Sequence, residues 1–135
     1  MENIRIERKE YLEKLMAWKD RQVIKVITGV RRCGKSTLME MFQDHLREGG
    51  VSEEQLIAVN LEDYDFRELR KPDRLYAYVK ERIVKGKRMY LFLDEIQHCE
   101  GFQEVVDSLY IKKDMDVYLT GSNAHMLSGE LATLL

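Results

Sequence analysis

The chain has 135 residues, room for one domain with a modest core. Its 22 basic and 24 acidic residues leave a formal charge of −2, which excludes a bulk field that would draw it to nucleic acid or an anionic membrane. Cys33 and Cys99 have no Cys or His companions at metal-ligand spacing, no apolar run approaches a membrane span, and MENIRIERKE lacks a signal-peptide core; reduced thiols and a cytoplasmic address are expected.

Along the chain, Tyr11, Leu12, Leu15, Met16 and Trp18 within a charged stretch predict an amphipathic helix. Val23 to Ile27 (VIKVI) is β-branched and short, as a buried parallel strand should be, and Leu38, Met41, Phe42, His45 and Leu46 then recur at helical spacing. Gly49-Gly50 stops that helix, and Leu56 to Asn60 (LIAVN) reads as a second strand. Pro72 fits a first helical turn, with Leu75, Val79 and Ile83 following until Gly86. Met89 to Leu93 is a third strand, Phe102 to Tyr110 a helix, and Val117 to Thr120 a fourth strand. Continuous apolar strands alternating with helices predict an α/β fold with a mostly parallel sheet covered on both faces, because parallel strands need crossover connections.

Between the first strand and its helix, Gly29 to Ser36 reads GVRRCGKS, the G-x-x-x-x-G-K-S pattern in its proper strand–turn–helix context. Gly29 and Gly34 allow successive backbone N–H groups to point inward and ring a polyphosphate at a helix N-terminus. Lys35 would reach the β- and γ-phosphates, and the Ser36 hydroxyl would ligate Mg²⁺. Arg31 and Arg32 could add charge to the phosphates, although loop arginines more often face solvent or pair with a carboxylate. Cys33 beside Lys35 reads as a small loop residue, with a depressed thiol pKa as the alternative.

The third strand ends in Asp94-Glu95, at the carboxyl edge where ligands of parallel sheets bind. Asp94 can orient Mg²⁺ directly or through water, and Glu95 can polarise an attacking water. Thr120-Gly121-Ser122-Asn123 follows the fourth strand: Asn123 first, with Thr120 and Ser122 close behind, is the candidate sensor of the γ-phosphate or the water. The same residues also read as a turn and N-cap for a helix containing Leu127, Leu131 and Leu134. Lys112-Lys113-Asp114 has the K-x-D part of a guanine-recognition motif, but Ile111 stands where Asn or Thr is needed. The Glu62-Asp63 pair at the end of the second strand could meet the site from its edge, but Asp63, Asp65 and Glu68 equally read as a solvated loop.

Together, IKVITGVRRCGKSTLM, YLFLDEIQ and YLTGSNAHMLSGELATLL resemble the AAA-type P-loop ATPases of the AAA_14 family, bacterial and archaeal proteins whose N-terminal ATPase domain is commonly followed by a DUF4143 domain. The resemblance runs from about Ile4 to Leu135. It implies a P-loop NTPase three-layer α/β/α sandwich of the additional-strand-conserved-glutamate type, strand order 5-1-4-3-2, with ATP and Mg²⁺ as ligands. The loop Gly29, Val30, Arg31, Arg32, Cys33, Gly34, Lys35 and Ser36, supported by Thr37, would hold phosphates; Ser36 and Asp94 the metal; Glu95, Lys35 and Asn123 the catalytic roles. It also calls for a fifth strand after GELATLL and then another domain, so the chain is expected to be an incomplete N-terminal segment, weakly active alone.

The leading function is an Mg²⁺-dependent ATPase coupled to a protein partner or a C-terminal domain. A slow nucleotide switch is the alternative, and a small-molecule phosphotransferase is disfavoured by the adjacent Asp94-Glu95 and the lack of a recognisable lid. Nucleic-acid association has no motif here, and homo-oligomerisation is open.

Overall fold

A computed structural model describes residues 2–27, 35–121 and 131–133. In chain order the elements are α1 (Glu2–Trp18), β1 (Ile24–Ile27), α2 (Lys35–Glu48), β2 (Leu56–Asn60), α3 (Pro72–Arg82), β3 (Met89–Asp94), α4 (Phe102–Tyr110), β4 (Met115–Thr120) and β5 (Leu131–Thr133), with short 3₁₀ turns at Glu53–Gln55, Tyr64–Arg70 and Ile96–His98. The strands form one sheet in the order β2-β3-β4-β1-β5, every pairing parallel. That is the 5-1-4-3-2 order the resemblance implies, and the α/β expectation holds.

Both faces of the sheet are covered, and side-chain alternation divides the core in two. Ile24, Val26, Ile57, Val59, Leu91, Leu93, Val117 and Leu119 point to one face, where they pack with Leu75 and Val79 of α3 and Val106 and Leu109 of α4. Ile27, Tyr90, Phe92 and Tyr118 point to the other, against Leu15 of α1 and Leu38, Phe42 and Leu46 of α2. The helical spacing read from the sequence thus identifies most of the inward stripes, except that Met16 stays 44% exposed and His45 of the α2 stripe is also exposed. Phe42 anchors α2: its ring lies 5.1 Å from that of Tyr118 and 6.2 Å edge-on from Phe92, and those two stack at 5.0 Å. This seat fixes where the first turn of α2, beginning at Lys35, meets the sheet.

One expectation is corrected. The last strand lies within this chain: Leu131, Ala132 and Thr133 pair with Ile24, Lys25 and Val26, so GELATLL contributes β5 and does not precede it. Leu131 likewise belongs to a strand and not to the helix suggested by its four-residue spacing from Leu127. The physical reason is β1: all its residues are buried, so its backbone donors and acceptors need strand partners on both edges. Tertiary pairing overrides a short local period.

Candidate functional site

The polar candidates gather at the carboxyl end of the sheet. Asn60 ends β2 and sits in register with Asp94, the end of β3, while Thr120 ends β4 and sits in register with Ile27, the last residue of β1 before the glycine-rich loop. By alternation Asn60, Asp94 and Thr120 lie on the face that carries α2. Asp94 is only 6% exposed and Thr120 fully buried.

Thr120 ties two functional candidates together. Its Oγ1 donates to Asp94 Oδ1 and accepts the backbone N–H of Glu95 at 2.8 Å. A buried carboxylate with a hydroxyl donor is held in one orientation. Glu95 then turns the chain sharply with left-handed backbone angles, φ 55° and ψ 52°, unusual for a residue with a side chain. Its carboxylate accepts from Gln97 Nε2 at 2.5 Å within the turn that follows. The neighbouring strand is pinned as well, since Leu61 N–H donates to the Asp94 carbonyl at 3.0 Å. Beside Asp94 opens a cavity of about 170 Å³ lined by Met39, Glu40 and Gln43 of α2 and Asn60 of β2.

Of the other sequence candidates, Lys35 and Ser36 lie in the first turn of α2, with Thr37 exposed beside them. Gly29, Val30, Arg31, Arg32, Cys33 and Gly34 lie outside the described residues, as do Ser122 and Asn123. His98 is exposed. Glu62 and Asp63 are exposed loop residues and Asp65 is exposed in the Tyr64–Arg70 3₁₀ turn, whose N-terminus Asp63 caps by accepting the Asp65 N–H at 2.9 Å. Lys112, Lys113 and Asp114 border a separate cavity at the opposite, amino end of β3 and β4, beside Met89 and Met115, which removes them from base recognition at this site.

The architecture and the order of the motifs have a match among known proteins: a family model described as an AAA domain aligns with residues 21–135. The chain belongs to this family, AAA_14. As an AAA domain it is 38% identical along its whole length to an uncharacterized protein of Haemophilus influenzae and covers 34% of that protein. It is 32% identical to an uncharacterized protein of Methanocaldococcus jannaschii, over 83% of this chain and 24% of the other. The chain therefore spans about a third or less of the relatives it matches. Among solved structures, a chain of Drosophila ORC bound to DNA aligns with a TM-score of 0.60, and one of Drosophila ORC bound to AT-rich DNA and Cdc6 with 0.59. Both are 12% identical and cover 92% of this AAA domain, which covers 81% and 49% of them respectively; the likeness is one of fold.

Among the described residues no group of three or more His, Cys, Asp or Glu could cage a metal, and no helix is long and apolar enough to cross a membrane. An all-protein cage is not what Mg²⁺ requires: one or two carboxylates, phosphate oxygens and water are its usual partners. Asp94, a hard oxygen donor oriented by Thr120, fits that pattern.

Two residues of this AAA domain escape the sequence reading. Asn60 is visible as the polar end of an otherwise apolar run, at the same position in its strand as Asp94 in β3. Gln97 gives no such signal, because its contact with Glu95 depends on the left-handed turn between them.

Away from the site, the same sheet face buries an ion pair. Lys25 Nζ donates to Asp116 Oδ1 and, at 2.6 Å, to the Arg21 carbonyl. Asp116 Oδ2 accepts from Tyr118 Oη at 2.8 Å and from the Asp20 N–H at 2.9 Å. Burial pulls the Lys25 ammonium below its usual range against the opposing attraction of Asp116. Burial, and then the Asp116 charge, push the Tyr118 phenol well above its own. This network fastens the α1–β1 junction, and β1 itself as the strand that leads into the glycine-rich loop, to β4.

Proposed function

We propose that this chain is the ATP-binding domain of an Mg²⁺-dependent ATPase that couples its nucleotide state to a protein partner or a C-terminal domain. The observation that carries this reading is the cluster Asp94–Thr120–Glu95 at the carboxyl end of a parallel sheet, on the face where α2 begins at Lys35.

In this reading the backbone amides from Gly29 to Gly34 ring the polyphosphate, Lys35 offers a point charge to the β- and γ-phosphates, and Thr37 supports the loop. Ser36 and Asp94 would hold Mg²⁺, which when bound neutralises charge on the phosphate oxygens. Thr120 prevents the Asp94 carboxylate from rotating away, so it is preorganised for that task. Glu95 orients and polarises the attacking water, and Asn123, in the segment following Gly121, senses the γ-phosphate or that water. ATP is preferred to other nucleoside triphosphates through family membership.

Calorimetry with Mg²⁺-ATP tests the phosphate site: Lys35→Ala removes most of the affinity, and equal affinities would refute the loop assignment. Single-turnover hydrolysis by the full-length protein tests catalysis. Glu95→Gln lowers the rate about 100-fold or more, the scale of general-base catalysis. Equal, negligible rates in wild type and variant would leave a nucleotide switch instead of an ATPase.

A further inference from the structure

We infer that Gln97 is a positioning residue that holds the Glu95 carboxylate, and that the bare backbone of Gly121 provides the space in which it does so. The inference rests on the catalytic role proposed for Glu95.

The backbone of Glu95 is fixed by its N–H bond to Thr120 Oγ1 and by its left-handed angles, which leaves the side chain as the adjustable part. Gln97 constrains that part by donating from Nε2 to Glu95 Oε2 at 2.5 Å. Only one orientation of the Gln97 amide works here: reversed, its oxygen would face a carboxylate oxygen and the two would repel. Its Oε1 must then point away, and it does so into an enclosed position without a hydrogen-bond partner among the described residues. A buried acceptor left unpaired is unfavourable, so the Gln97–Glu95 contact is retained against a local cost.

Gly121 accounts for where that oxygen goes. A Cβ on residue 121 would sit 2.5 Å from Gln97 Oε1 and 3.3 Å from Ile96 Cγ2. The amide occupies the volume that any other residue at 121 would fill. Gly121 also begins the Gly121-Ser122-Asn123 segment proposed to sense the nucleotide. Glu95, Gln97 and Gly121 therefore form a contiguous relay, in which displacement of residue 121 toward the Ile96–His98 turn drives the amide off the carboxylate.

The test uses the full-length protein carrying Gln97→Met, which keeps the bulk but loses the donor, together with Gln97→Ala, Gly121→Ala and Gln97→Ala/Gly121→Ala. Each single variant lowers the single-turnover rate about tenfold, the worth of one charge-assisted hydrogen bond, while Mg²⁺-ATP affinity stays within about twofold of wild type. The double variant is no slower than Gln97→Ala, because the added Cβ no longer meets an amide. A second readout does not depend on turnover: the side-chain ¹⁵N–¹H signals of Gln97 move in Glu95→Ala and in Gly121→Ala. Multiplicative losses in the double variant, or Gln97 signals indifferent to Glu95→Ala, overturn the relay. A rate that depends on Glu95 but not on Gln97 overturns the positioning alone, whereas a rate indifferent to Glu95→Gln overturns the hydrolytic reading beneath it.

Discussion

The two faces of the sheet differ in what they are made of. Facing α3 and α4, the side chains of β1 to β4 are uniformly aliphatic or methionine: Ile24, Val26, Ile57, Val59, Met89, Leu91, Leu93, Met115, Val117 and Leu119. Facing α1 and α2, the same strands carry Lys25, Asp116 and Tyr90 toward one end, the Phe92–Tyr118 stack in the middle, and Asn60, Asp94 and Thr120 at the other. One face is a packing surface. The other buries charge at both ends, with an aromatic layer between a structural ion pair and the candidate site. The lesson is that a parallel sheet can divide its duties by residue parity: odd-numbered positions in β3 and β4 only pack, while even-numbered ones also carry the buried charge and the candidate chemistry.

Four perturbations test that division, beginning with the largest effect. Asp116→Ala leaves the Lys25 ammonium buried without its counter-ion and should cost about 3–5 kcal/mol in urea unfolding, whereas Lys25→Met/Asp116→Leu recovers much of that loss. A cost below about 1 kcal/mol for the single change would show that Lys25 escapes to water or is neutral. On the aliphatic face, Leu91→Ala should cost about 2–5 kcal/mol by opening a cavity, with nucleotide affinity unaltered in the surviving folded protein. Lost affinity there would mean that the two faces are not independent.

Thr120→Val removes a hydroxyl that serves both Asp94 and the Glu95 N–H, at a stability cost of about 1–3 kcal/mol. Unlike Leu91→Ala, it should slow hydrolysis more than it weakens ATP binding, as single-turnover rates beside calorimetry would reveal. The smallest effect is an alkaline drift in the urea midpoint. Burial pushes the Cys99 thiol up to about 11 from its ordinary 9.0, so between those values the folded chain keeps a proton that the unfolded chain has released. Stability must fall as pH rises through that window, and the raised Tyr118 phenol steepens the fall above pH 10.0. Lys25, displaced downward, acts with the opposite sign up to 10.5. Replacing the thiol isolates its share: a midpoint drift from pH 9 to 11 that is the same in Cys99→Ala as in wild type would contradict the burial of Cys99.

Most of the scaffold was legible in the sequence because it is written in local patterns. LIAVN spans β2 as found, and Phe102, Val105, Val106 and Leu109 are the buried stripe of α4. Asp94 and Thr120 were legible as the first polar residues after apolar runs. Illegible features depend on partners distant in sequence or on backbone direction. Lys25 reads as an interruption of VIKVI until Asp116 is placed beside it. β5 resembles a helix segment by leucine spacing until β1 offers its free edge. Gln97 is unremarkable in sequence until Glu95 takes a left-handed turn.

The sheet order bears on how the protein is made. β1 is translated first among the strands, yet its neighbours are β4 and β5, the last two. Lys25 and its counter-ion are separated by 91 residues, so at ordinary synthesis rates of about 5–20 residues per second the lysine waits about 5 to 20 seconds for Asp116. Until then β2 and β3 can pair with each other, while the strand leading into the glycine-rich loop has no edge to join. The proposed nucleotide site is thus completed late in biosynthesis, and a ribosome-bound chain that stops before β4 should hold no ATP.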